Sequence, residues 1–280
     1  MAGVLKLQGE YGRAQEYYQR ALDGLEEIFG EDHAGTRLTR YYLAGLLKCR
    51  GEYEKALELY QQTLESDEKD RSGKDHVDTL TTVHAMAGVL EIQGEYEKAQ
   101  EYYQRALDGR ENVLGEDHVN TLTTVHAMAG VLEIQGDYEK AQEYYQRALD
   151  GRGKVLGEEH ADTRLTRYCV AGLLKLRGEY ETALELYQQV LDSEEKDIGK
   201  DRIDTLTTTR AIAGVLEIQG EYEKALQWYQ RALDGHQKDN ADDSIRVESV
   251  DGVARVEALL VALRPLVFIS PPPGILEQTI

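Results

Sequence analysis

The chain is poor in cysteine, proline, phenylalanine and tryptophan, and short of positive charge. Its two cysteines, Cys49 and Cys169, form no disulfide framework and point to a reducing, cytoplasmic compartment. All four prolines lie from Pro265 onward, so nothing earlier forces a helix to break. Two phenylalanines stand against 18 tyrosines, so much of the aromatic packing brings a hydroxyl that needs water or a partner. With 32 basic and 52 acidic residues the net charge is −20, which argues against nucleic acid and anionic membranes and favours partners with basic segments. No run approaches the about 18 apolar residues of a membrane helix. The opening MAGVLKLQGEYG is not a signal peptide either.

What the chain has instead is repetition. QGEYEKAQEYYQRAL, residues 93–107, recurs six times with small edits, its glycine standing at Gly9, Gly51, Gly94, Gly136, Gly178 and Gly220. The steps are 42, 43, 42, 42 and 42 residues. A fixed period of that size predicts a helical solenoid, because one such unit is too small to bury its own apolar face and leans on its neighbours.

Repeat three shows the unit. Val83, Met86, Ala87 and Leu90 fall at helical spacing and make the apolar stripe of a helix A, with Asp78 as its expected N-cap and Gly94 as its C′ residue. Helix B is expected from Glu95 to about Leu114, with Tyr96, Ala99, Tyr103 and Ala106 inward and Glu101 facing Arg105 outward. Gly115 ends it. The small residues Ala87, Ala99 and Ala106 let two antiparallel helices approach closely.

A small residue in helix A, then Gly-x-Tyr, then Ala, an aromatic and Ala resembles the tetratricopeptide pattern. The 42-residue period and the linker Gly-Glu-Asp-His-x-x-Thr narrow the resemblance to the kinesin light chain-like subgroup. It implies an all-α fold, a right-handed helical-hairpin solenoid of tetratricopeptide repeats. Six repeats span 1–237, with boundaries near 35, 78, 120, 162 and 204.

Repeat one is truncated, since Met1 stands where Met86 stands later, and Tyr17, Tyr18 and Leu22 are expected to be poorly covered. Repeats two and five differ from the rest, reading RLTRYYLAGLLK and RLTRYCVAGLLK in helix A. Residues 79–109 and 121–151 differ only at Glu95 and Asp137, which indicates recent duplication. After the polar connector QKDNADDS, residues 238–264 read as a capping helix or a degenerate repeat, and 265–280 as an irregular or polyproline-like tail.

The resemblance further implies a peptide groove lined by helix A. In repeat three it comprises Thr81, His84, Gly88 and Glu91, and in repeat four Thr123, His126, Gly130 and Glu133. In repeats two, five and six the corresponding residues include Tyr41, Tyr42 and Lys48, then Tyr168 and Lys175, then Arg210 and Glu217. A mid-helix glycine costs about 1 kcal/mol against alanine. It either opens the groove floor to a peptide backbone or admits a tightly packed neighbour. Tyr41, Tyr42 and Tyr168 beside Arg37, Arg40, Arg164 and Arg167 form the least generic surface, able to grip an acidic or aromatic side chain. Alternatively, Arg40 and Arg167 only reach out from the helix interface.

His33, His76, His118 and His160 come one per repeat, too far apart to share a metal, and read as linker residues that bond backbone. No phosphate loop, nucleophile elbow or zinc motif is present. We therefore expect no enzyme and no cofactor, but a cytoplasmic scaffold for a protein or peptide, in its narrower version a kinesin light chain-like adaptor for kinesin heavy chain or cargo. The incomplete first helix motivates a second reading, the sensor region of a larger nucleotide-binding signalling protein of which this chain is a fragment.

Overall fold

The computed structural model describes residues 2–69, 73–239 and 243–263, and among these it contains helices and no strand. They fall into two compact units, Met1–Arg177 and Gly178–Ile280. The first holds α1 (Ala2–Leu7), α2 (Tyr11–Phe29), α3 (Ala34–Cys49), α4 (Tyr53–Lys69), α5 (Val77–Ile92), α6 (Tyr96–Leu114), α7 (Val119–Ile134), α8 (Tyr138–Leu156) and α9 (Ala161–Leu176). The second holds α10 (Tyr180–Asp197), α11 (Ile203–Ile218), α12 (Tyr222–Asp239) and α13 (Asp243–Leu263). Odd-numbered helices from α1 to α11 are A helices and even-numbered ones are B helices. Within the first unit each helix packs on the next, and α3 also touches α5, as α5 touches α7. This is the helical-hairpin packing of a solenoid.

The core follows the apolar stripes. Leu80, Val83, Met86, Ala87 and Leu90 of α5 are buried against Ala99, Tyr103 and Ala106 of α6. Alanines at the crossing have no exposed surface at all, which is how the two backbones come close. Arg105 does not pair along its own helix with Glu101; it reaches back to Glu68 of α4 and so ties one B helix to the previous one.

The linker motif has a physical reason. The N-cap of α5 is His76, not Asp78: its Nδ1 accepts the backbone N–H of Asp78 at 3.2 Å, a bond that only an imidazole unprotonated at Nδ1 can accept. His33, His118 and His160 cap α3, α7 and α9 in the same way. Three residues past each cap histidine a threonine closes the loop, Thr79 Oγ1 donating to Gly73 O at 3.0 Å and Thr121 Oγ1 to Gly115 O at 2.8 Å. Gly115 itself stands at φ 91°, a conformation that side chains disfavour.

In repeat one Tyr17 is exposed and Tyr18 half-buried, but Leu22 is buried, because α3 packs over α2 and supplies cover. Of the expected connector 237–244, α12 takes the first part and α13 begins at Asp243; 240–242 lie outside the described residues, as does the expected tail 265–280.

Candidate functional site

On α3 the side chains of Leu38 and Tyr42 are exposed, Tyr42 by 48%. Tyr41 is half-buried, its ring edge-on to Tyr60 at 5.4 Å and to Tyr42 at 5.7 Å between centroids, and Tyr18 stacks on Tyr42 at 6.2 Å. Burial pushes the Tyr41 phenol up. The arginines beside these rings are committed elsewhere. Arg37 donates through Nε to Asp67 Oδ1 at 2.7 Å and through NH1 to Asp32 O at 2.8 Å. Arg40 is buried on Glu26 at 2.9 Å. On α9, Arg164 is buried and donates to Glu159 O at 2.7 Å, and Arg167 is buried on Glu158. The expected grip on an acidic side chain therefore has no guanidinium turned outward to make it. Tyr168 and Lys175, further along α9, are half-buried.

On α5 and α7 the polar residues form a repeated relay. His84 packs on Tyr103 at 5.1 Å and His126 on Tyr145 at 5.3 Å, and the two tyrosine hydroxyls donate to Glu91 at 2.7 Å and Glu133 at 2.9 Å. The Nδ1 atoms of His84 and His126 lie 3.3 Å from Thr124 Oγ1 and Thr166 Oγ1 of the next A helix. Burial, then the nearby Arg110 and Lys48, push His84 down to about 3; burial and Arg152 push His126 down to about 4. Burial raises Glu133. Thr81 and Thr123 donate back into their own helices, to Val77 O and Val119 O.

The mid-helix glycines answer to packing. A Cβ on Gly88 would meet Tyr103 Oη at 3.3 Å, one on Gly130 would meet Tyr145 Oη at 3.6 Å, and one on Gly45 would meet Tyr60 Oη at 3.2 Å. Gly88 and Gly45 thus admit the buried tyrosine of the paired B helix, whereas at Gly130 the contact is one that an alanine would also make. Lys48 Nζ also stands near Gly88, 3.1 Å from the place of such a Cβ. In the second unit, α13 engages the expected residues of α11. Arg210 pairs with Glu248, and Glu217 takes both Arg255 Nε at 2.5 Å and Arg255 NH2 at 2.8 Å.

Three residues that matter escaped the sequence reading, and all come from B helices. Arg110 is only 3% exposed and lies between α5 and α7, where its NH1 donates to Asn120 O at 2.8 Å and Thr124 Oγ1 at 2.6 Å. Arg152, also 3% exposed, does the same with Asp162 O at 3.1 Å and Thr166 Oγ1 at 2.7 Å. Asp67 occupies this position in repeat two, 5% exposed. Across the six repeats the position reads Leu25, Asp67, Arg110, Arg152, Glu194 and His236, while the helix before it keeps its Tyr-Gln and Leu residues. That spread of charge, from Leu through Asp to Arg, at one place in an otherwise recurring helix was the available signal. Beside Asp67 a cavity of about 220 Å³ opens between α3 and α5, lined by Arg37, Leu38, Tyr41, Tyr42 and, opposite them, Asp78, Thr81 and Thr82.

Among the described residues no group of three or more His, Cys, Asp or Glu side chains is arranged to hold a metal ion, and no helix is long and apolar enough to cross a membrane. Cys169 is half-buried, its thiol pushed up to about 11 by burial, which makes it a poor nucleophile.

The tetratricopeptide repeat family profile matches residues 1–69, 78–154, 122–193 and 162–238. The chain belongs to the tetratricopeptide repeat family. A search of curated sequences returns no match. Among solved structures, this tetratricopeptide chain is similar to BtubC (BKLC) from P. vanneervenii, with 18% identity and a TM-score of 0.66 over 96% of this chain and 98% of that one. It is also similar to the nearly identical TPR-like repeats of a Podosopora anserina protein termed a kinesin light chain, at 20% identity and TM-score 0.64 over 71% of this chain and 94% of that one. RapI in its apo form gives 13% identity and TM-score 0.65 over 93% and 96%. At these identities the likeness is one of fold.

Proposed function

We propose that the chain is a non-catalytic scaffold that binds a peptide or helical segment of another protein across the exposed side of its A helices. The observation that carries this reading is the surface of α3, where Leu38 and Tyr42 stand exposed beside a 220 Å³ cavity rimmed by tyrosine and carboxylate. Aromatic rings with a polar tip are the side chains that anchor peptides at low entropic cost. The contacts of His84 and Glu91 with Tyr103 tie the neighbouring α5 to α6, which favours a surface formed before a ligand arrives.

The test is affinity capture from a lysate of the cells that make the protein, run beside the double variant Tyr41→Ala, Tyr168→Ala. The captured protein should bind the variant at least 10-fold more weakly while helicity is kept. Full affinity in the double variant overturns the assignment to this face. The narrower reading, a kinesin light chain-like cargo adaptor, is supported by the 42-residue period and by the fold shared with BtubC and the Podosopora anserina repeats. Recovery of kinesin heavy chain in the same capture supports it, and its absence removes that version alone.

A further inference from the structure

The junctions between A helices are built to one plan, and two of them show what their interior is made to hold. At the α5/α7 junction the Arg110 guanidinium donates to Asn120 O, Thr124 Oγ1 and, at 3.4 Å, Thr81 Oγ1. At the α7/α9 junction Arg152 donates to Asp162 O, Thr166 Oγ1 and, also at 3.4 Å, Thr123 Oγ1. One repeat earlier, the residues equivalent to Asn120, Thr124 and Thr81 are Asp78, Thr82 and Leu38. All three line the cavity between α3 and α5. There the B helix presents Asp67, whose side chain is too short to fill the space that arginine fills in the next two junctions.

The chemistry of that cavity suits a cation. Arg37 takes Asp67 Oδ1 and turns its NH1 away to the Asp32 carbonyl, leaving Oδ2 with the Thr82 hydroxyl at 3.3 Å. Asp78 stands exposed at the rim, so two carboxylates face one guanidinium. Tyr41 and Tyr42 form the wall, and aromatic faces attract cations. Burial pushes the Asp67 carboxyl up in spite of Arg37, so a second cation against it relieves a strained charge. The net charge of −20 draws basic segments toward the chain from a distance.

We propose that the cavity between α3 and α5 receives an arginine side chain of the partner, seated on Asp67 and Thr82 against the wall formed by the Tyr41 and Tyr42 rings. The proposal deepens the scaffold reading and rests on it. A guanidinium is preferred to an ammonium because its planar fork of donors matches a carboxylate together with a hydroxyl and a carbonyl, the set that Arg110 and Arg152 already satisfy in part.

The probes are N-acetyl-arginine amide, its neutral isostere N-acetyl-citrulline amide and N-acetyl-glutamate amide, each titrated into the isotope-labelled full chain and followed by NMR. The arginine amide should shift the Thr82 amide and the Tyr41 and Tyr42 ring signals saturably, with the citrulline amide at least 10-fold weaker and the glutamate amide inert. Asp67→Asn should weaken the arginine amide at least 10-fold. The triple variant Arg37→Leu, Ser66→Gly, Asp67→Arg rebuilds the junction in the pattern of repeats three and four and fills the cavity from within. It should fold with undiminished helicity and lose the arginine response. Equal binding of arginine and citrulline amides, preference for glutamate amide, no saturable shift, or an arginine response that survives in the folded triple variant each overturns the proposal. If these probes fail while lysate capture still depends on Tyr41 and Tyr168, the arginine pocket falls and the scaffold stands; if capture alone fails while the probes bind, the scaffold reading falls, and the assignment of the bound arginine to a partner protein falls with it.

Discussion

The Leu80 side chain fills the space that a methyl group on Gly109 would need, its Cδ2 lying 2.4 Å from where that Cβ would stand. Leu122 and Gly151 repeat the contact at 2.5 Å, and Leu206 and Gly235 at 2.4 Å. The glycine sits inside a B helix, where alanine would gain about 1 kcal/mol in propensity. Overpacking a closed site costs about 1 to 3 kcal/mol. We expect Gly109→Ala to destabilise the chain by about 1 kcal/mol in chemical denaturation, with the sign set by the clash. Combined with Leu80→Ala, the two losses should sum to less than their separate values, which a double-mutant cycle measures.

Ala99 tests the hairpin crossing directly. It has no exposed surface where α5 and α6 meet. Ala99→Leu should cost about 1 to 3 kcal/mol through forced separation of the two helices. The unfolding midpoint checks it, and an unchanged midpoint would show that the crossing has slack.

The loop histidines give a third expectation. His118 caps α7 by accepting the Asn120 N–H at 3.1 Å. His118→Ala should cost about 0.5 to 2 kcal/mol, and His118→Asn, which can still accept that bond, much less. Hydrogen exchange at the Asn120 amide should speed up in the alanine variant only.

Acid should loosen the first unit before carboxylates titrate. His84 and His126 have folded values of about 3 and about 4, below the ordinary histidine value of about 6.5. Between those limits the unfolded chain binds more protons than the folded one, so stability rises with pH. The contribution is complete above about 6.5 and is lost as pH falls toward the folded values. The melting temperature should drop between pH 7 and 5, and the pair His84→Gln, His126→Gln should flatten that slope. Equal slopes in both proteins would show that the imidazoles are open to water.

Much of this architecture is legible in the residues themselves. The period of the glycines sets the hairpins, and the alanines at 87, 99 and 106 announce the crossing, because both depend on local backbone freedom and side-chain size. The mid-helix Gly88 could be read either way until Tyr103 Oη was seen against it, since that contact joins residues in different helices. The cap was misplaced by two residues because Asp78 is the commoner N-cap, whereas His76 serves through its ring nitrogen. For the arginines beside Tyr41 the sequence leaves two readings open, a grip on a ligand or a place at the helix interface. Arg37 and Arg40 turn inward to Asp67 and Glu26, carboxylates supplied by two different B helices, and no spacing rule along the chain reports such pairings. Arg110 was missed for the same reason: its importance lies in the neighbouring repeat.

Because each loop closes on atoms of its own, Thr79 on Gly73 and Thr121 on Gly115, the turn is copied whole with the module that carries it. Copying one 42-residue module therefore lengthens the protein without redesigning a single corner, and the near-identity of 79–109 with 121–151 is the trace of such an event. Novelty can then collect at a few buried positions that differ from module to module, Asp67 and Arg110 among them, so that a new recognition property costs a handful of codons rather than a new fold.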